Sequence, residues 1–180
     1  MKPKDATRLL LRLPPDLYRR VKARAEQSDE SINSVLVQAI EHGLLACKME
    51  LVQSLIIRKA RAQLGQDFVG LLIYGSRARG DFYDTSDADL LLVVSDKIQI
   101  KRELYRAWDQ ILPDEVSLNI AHMPVADSNI GSLWLECALD ARIIYDPSGV
   151  IRRRLEEIRG LILSGAYVRK TTHGQGYWIK

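Results

Sequence analysis

The sequence predicts an α+β fold, a mixed sheet flanked by helices and preceded by a small module of one strand and two helices, and three observations support it. Apolar residues make up 47% and charged residues 27% of the 180 positions, the balance of a chain that folds rather than stays disordered. From Phe68 onward, short apolar runs alternate with segments of helical period, as strands and helices sharing one sheet do. Before that, an alternating apolar stretch stops at Pro14 and Pro15, and two helical patterns follow. This length holds one ordinary domain plus a small oligomerising module. The expected division is 1–46 and 47–180, although no Pro-, Gly- or Ser-rich linker marks the join near Leu45 to Lys48.

The first element, residues 7–13, reads Thr-Arg-Leu-Leu-Leu-Arg-Leu. As a strand it places Leu9, Leu11 and Leu13 on one face and Arg8, Leu10 and Arg12 on the other. Pro15 suits the first turn of a helix along which Leu17, Val21 and Ala25 recur. Ser31 is the expected cap of a second helix that turns Val35, Leu36, Ala39, Ile40 and Leu44 inward and closes near Gly43. A third helical pattern covers 49–64, with Leu51, Leu55, Ala62 and Leu64 among its apolar positions and Gly65 at its end. Strands are then expected at 68–74, 87–94, 116–122 and 142–145, and helices at 100–111, 130–141 and 150–163. The tail from Tyr167 to Ile179 forms a hairpin through His173, Gly174, Gln175 and Gly176.

Several classes are set aside by composition. No apolar run approaches the roughly 18 residues of a membrane span, and the N-terminus lacks a signal-peptide core, so a cytoplasmic protein is expected. Cys47 and Cys137 lie far apart without ligand-spaced neighbours, which argues for reduced, buried thiols over a disulfide or zinc site. His42, His122 and His173 have no second ligand near them in sequence and read as structural or surface residues. Trp108 and Trp134 read as core, whereas Trp178 either closes a sheet or meets a partner. The net charge of +3 is modest, but its distribution is not even. Lys2, Lys4, Arg8, Arg12, Arg19, Arg20, Lys22 and Arg24 face only Asp5 and Asp16 before residue 25.

One strand and two helices cannot bury their own apolar faces, so this module must dimerise through the strand. Residues 8–13, the Leu-Pro-Pro-Asp-Leu-Tyr run and the Ser31-Ile32-Asn33 start resemble the ribbon-helix-helix repressors. That resemblance implies a homodimer whose paired strands enter the major groove of double-stranded operator DNA. Arg8, Leu10 and Arg12 would read bases, and the backbone near Ser31 and Asn33 would hold a phosphate.

The chemistry is concentrated between Tyr74 and Val94. Gly75 and Ser76 directly follow an apolar strand, where exposed amides and a hydroxyl can cradle phosphate oxygens. Asp87 and Asp89, two apart at the mouth of the next strand, share one face at about 6 to 7 Å along the chain. Ionised together they repel unless a cation lies between them, and hard oxygen donors suit Mg2+ or Mn2+. The strand beyond Asp89 is wholly apolar, as a rigid support requires.

A glycine-serine pair, ten intervening residues and Asp-x-Asp resemble the signature of the DNA polymerase β superfamily of nucleotidyltransferases, especially its minimal prokaryotic members. The resemblance implies that Ser76 and its neighbours hold the triphosphate of ATP or another nucleoside triphosphate, with Arg77 and Arg79 as further phosphate contacts. It also implies that Asp87 and Asp89 hold the metal while a nucleotidyl group passes to an acceptor hydroxyl. One departure stands out. Active members carry a third carboxylate on the next strand, and here that strand offers Ser117 and Asn119, with Glu115 one pleat away.

A DNA-binding head joined to this domain is similar to antitoxins that adenylylate a HEPN-type ribonuclease toxin and repress their own operon. The missing carboxylate keeps a second reading open, a regulator that binds nucleotide or toxin without transfer. Transfer to a small molecule such as an aminoglycoside is a third, for which the DNA-binding head has no evident use.

Overall fold

In the computed structural model, the described residues are 9–80, 87–125, 129–172 and 175–180. Arg8 and the turn pair His173 and Gly174 lie outside them, as does the second half of the loop after Gly75. The chain divides into two compact units between Leu51 and Val52.

In the first unit, residues 9–14 carry no regular secondary structure, so the described part of the expected strand at 7–13 is not formed in the single chain. Leu10 and Arg12 are exposed. Helix α1 spans Pro15–Ser28 with proline in its first turn, and it stops at Asp29, whose left-handed backbone (φ 55°) returns its N–H to the Ala25 carbonyl. The Ser31 hydroxyl then accepts the Ser34 amide at 3.0 Å, the capping role its sequence position implied. Asn33 is exposed in the first turn that follows.

Helix α2 runs without interruption over Ile32–Leu64. This corrects the expectation of two helices separated near Gly43. A lone glycine costs only about 1 kcal/mol in a helix interior, and the good helix formers on either side outweigh it. The buried face also differs from the one expected. Val35 is buried in the first unit, whereas Ala39, Ile40, Leu44 and Leu51 are exposed, and in the second unit Val52, Ile56 and Ala60 are buried while Ala62 is exposed. Cys47, expected to be buried, is exposed, while Cys137 is enclosed.

The second unit is a mixed α/β fold on a mixed four-stranded sheet, in the order β3, β2, β1, β4. A 3-10 turn, Gly65–Asp67, leads into β1 (Phe68–Tyr74), and the short helix α3 (Ser76–Arg79) follows. Then come β2 (Ala88–Val94), α4 (Arg102–Asp109), β3 (Val116–His122), α5 (Ser132–Asp140), β4 (Arg142–Tyr145) and α6 (Val150–Leu163). β1 is antiparallel to both β2 and β4, whereas β2 and β3 run parallel. The hairpin β5 (Val168–Thr172) and β6 (Gln175–Ile179) forms a separate antiparallel pair.

Strand β2 is central and fully buried along Leu90 to Val94, which is why its sequence is a continuous apolar run rather than an alternation. On one sheet face Leu72, Leu91 and Val93 pack with Trp134, Leu135, Cys137 and Ala138 of α5 and with Ile151, Leu155 and Ile158 of α6. Trp108 is buried and lies under Lys59, whose ammonium is 5.1 Å from the indole centroid and bonds the Ala107 carbonyl. The C-terminal hairpin is fastened to α5 through Glu136, which receives the Trp178 indole N–H at 2.8 Å and pairs with Arg169 at 3.1 Å. No helix among the described residues is long and apolar enough to cross a membrane.

Candidate active site

The antiparallel register sets Tyr74, the last residue of β1, opposite Asp89, and the parallel register sets Asp89 opposite Ser117. Three strands thus present Tyr74, Asp89 and Ser117 in one row at the end of the sheet, on the face that carries Leu72 and Leu91 deeper in. Asn119 stands on that face one step further along β3, opposite Leu91. Its amide Nδ2 donates to the Tyr74 hydroxyl at 2.7 Å, reaching across β2.

Gly75 turns the chain at this row. Its backbone (φ 73°, ψ −155°) lies in a region that only glycine occupies readily. A Cβ there would stand 2.7 Å from Asp89 Oδ2, so the absent side chain is what leaves the carboxylate room. The Gly75 carbonyl accepts the amides of Ala78 and Arg79 at 3.1 and 3.2 Å, which closes α3, and Ser76 opens that helix half-buried.

Asp87 is exposed and Asp89 half-buried. Burial, and then the Asp87 charge, push the Asp89 carboxyl above the usual carboxylate range. Burial, and then Asp89 itself, push the Tyr74 phenol up to about 12, with the Asn119 bond opposing the rise, so the phenol keeps its proton at neutral pH. A divalent cation would relieve the carboxylate repulsion, and the donor set of two aspartates with a glycine-made gap fits a hard ion. Among the described residues no three His, Cys, Asp or Glu side chains converge on a metal position.

The remaining expected residues separate by role. Arg77 is half-buried in α3. Arg79 is exposed and pairs with Asp140 of α5 at 3.0 Å, a contact that ties α3 to α5. Glu115 sits exposed in the turn before β3, where its carbonyl accepts the Ala88 amide at 2.8 Å. His122 Nε2 bonds the Ile98 carbonyl at 2.8 Å, in keeping with a structural histidine. Sequence reasoning missed the Tyr74 and Asn119 pair. The available signal was an asparagine amid the apolar residues of β3, together with a tyrosine immediately before the Gly-Ser turn.

Residues 57–132 match the family model described as "Polymerase beta, Nucleotidyltransferase", a span that contains Gly75, Ser76, Asp87 and Asp89. Among solved structures, a protein from Sulfolobus solfataricus assigned as a nucleotidyltransferase aligns at 20% identity and TM-score 0.39, covering 54% of this chain and 79% of the other. A toxin-antitoxin crystallised with AMP-PNP aligns at 12% identity and TM-score 0.40, covering 60% and 85%. A mutant of the toxin-antitoxin MntA-HpeT aligns at 13% identity and TM-score 0.45, covering 62% and 85%. Each overlap covers between 54% and 62% of this chain. No curated protein matches the sequence.

Proposed function

We propose that the second unit is a metal-dependent nucleotidyltransferase that passes a nucleotidyl group, AMP in the leading case, to a hydroxyl of a partner protein. The observation that carries this reading is the placement of Gly75 against Asp89, with Ser76 opening the next helix and Asp87 two residues upstream. In the step itself the acceptor oxygen bonds to the α-phosphorus of the triphosphate as the bond to the departing pyrophosphate breaks. The hydroxyl proton leaves to solvent or to Glu115. Asp87 and Asp89 would hold the ion, magnesium or manganese, and Gly75, Ser76 and Arg77 would orient the triphosphate. A bound ion supplies neutralisation of the phosphate charge. Arg79 is better placed to brace α3 through Asp140 than to touch phosphate.

The first unit is read as a dimeric DNA-binding module, with Arg8, Leu10 and Arg12 facing bases and the backbone near Ser31 and Asn33 on phosphate. The exposure of Leu9, Leu10 and Leu11 supports a missing partner strand. Together the two units describe an antitoxin that modifies a HEPN-type toxin and represses its own operon. Incubation with magnesium, ATP and the product of the adjacent gene should raise the partner's mass by one adenylyl group. An unchanged mass refutes the transfer. Comparing wild type with Glu115→Gln tests that residue, since equal rates remove it from the mechanism.

A second reading, binding of nucleotide or toxin without transfer, is favoured by one observation. The residue opposite Asp89 on β3 is the neutral Ser117, and the Asn119 amide is engaged by Tyr74. Magnesium-dependent nucleotide uptake without pyrophosphate release would support it.

A further inference from the structure

We infer that Tyr74 and Asn119 form a subsite that grips one hydroxyl group of the substrate, the tyrosine donating to its oxygen and the asparagine carbonyl accepting its proton. This rests on the nucleotide reading of the neighbouring aspartates. The pair is bonded through Asn119 Nδ2 to Tyr74 Oη at 2.7 Å. That bond uses one lone pair of the phenol and leaves its own proton without an acceptor among the described residues. It also fixes the amide, so that Oδ1 is the end of Asn119 without a donor among the described residues. Both residues are half-buried rather than enclosed in the core.

One donor and one acceptor held side by side match a hydroxyl, which both accepts and donates. They do not match a phosphate oxygen, which would find nothing to give to Asn119 Oδ1, nor an ammonium, which could not accept from tyrosine. Tyr74 stands opposite Asp89 in the register, so the gripped hydroxyl lies beside the carboxylate pair. The Ser117 hydroxyl, on the same face and half-buried, adds a further neutral group.

Two sources supply such a hydroxyl, the ribose of the bound nucleotide and the acceptor, and one experiment separates them. Titration of the full chain in magnesium with ATP, 2′-deoxy-ATP and 3′-deoxy-ATP is run on wild type, Tyr74→Phe and Asn119→Leu, alongside pyrophosphate release with water as acceptor. If the ribose is held, wild type binds ATP about three- to tenfold more tightly than one of the deoxy analogues, as one hydrogen bond implies, and Tyr74→Phe erases that preference. If the acceptor is held, all three nucleotides bind both variants as they bind wild type, while pyrophosphate release falls by a similar factor. Unchanged nucleotide preference together with unchanged release in Tyr74→Phe overturns the subsite. The phenylalanine keeps the packing of the ring, and a melting curve equal to wild type excludes a folding artefact. Absence of magnesium-dependent uptake by wild type overturns the nucleotide reading and the subsite with it, a result distinct from intact uptake indifferent to Tyr74.

Discussion

The two units treat their apolar residues in opposite ways. In the second, Ile56, Ala60, Leu71, Leu72, Leu90, Leu91 and Leu92 are fully buried. In the first, Leu9, Leu10, Leu44 and Leu51 are 80%, 85%, 67% and 73% exposed. The second unit completes its core from its own chain, and its site inherits that rigidity. The first leaves these leucines at its surface, which the proposed strand pairing would cover.

The largest test of that contrast is Leu72→Ala, which deletes a side chain packed between α5 and α6 and should cost about 2 to 5 kcal/mol in denaturant unfolding. A loss much below that would mean the second unit is looser than its burial implies. Next comes Asp89→Asn, expected to lower nucleotidyl transfer by roughly 100-fold or more, followed by mass spectrometry of the acceptor, while the fold persists. Gly75→Ala follows. The strained backbone and the clash with Asp89 Oδ2 should weaken magnesium-dependent nucleotide uptake by about tenfold in calorimetry, at a stability cost of about 1 to 3 kcal/mol.

A smaller effect is expected from pH. The folded protein holds the Asp89 proton more tightly than the unfolded chain does. Its contribution to stability is therefore complete below the ordinary carboxylate range and is lost as pH rises through the raised value. Chemical unfolding at stepped pH should show this decline without metal, Asp89→Asn should flatten it, and magnesium should oppose it. The smallest change should come from Leu44→Ala, within about 0.5 kcal/mol where the single chain prevails. If the first unit pairs, that cost grows with protein concentration in analytical ultracentrifugation.

Local pattern made much of the second unit legible. The runs from Phe68 to Tyr74 and from Val116 to His122 are strands with the ends the sequence implied, and the helix beginning at Val150 ends at Leu163 as expected. Those segments are bounded by glycine, proline or charged turns, which act within a few residues. Gly43 misled because its cost is small beside the propensity of its neighbours, and the choice of Val52, Ile56 and Ala60 as the buried face depends on packing that no local period fixes. Gly75, Ser76, Asp87 and Asp89 were visible because they cluster in sequence around one turn and one strand. Tyr74 and Asn119 are 45 residues apart, and their meeting depends on the parallel register of β3 against β2, which leaves no mark in either segment.

The attachment of the C-terminal hairpin has a spectroscopic use. Trp108 and Trp134 are enclosed, whereas Trp178 is partly exposed with its indole N–H held by Glu136. Acrylamide should therefore quench one of the three emitters in the native protein. Glu136→Gln or a mild rise in temperature that frees the tail would show as a change in that accessible fraction alone, before the two shielded indoles report melting of the domain.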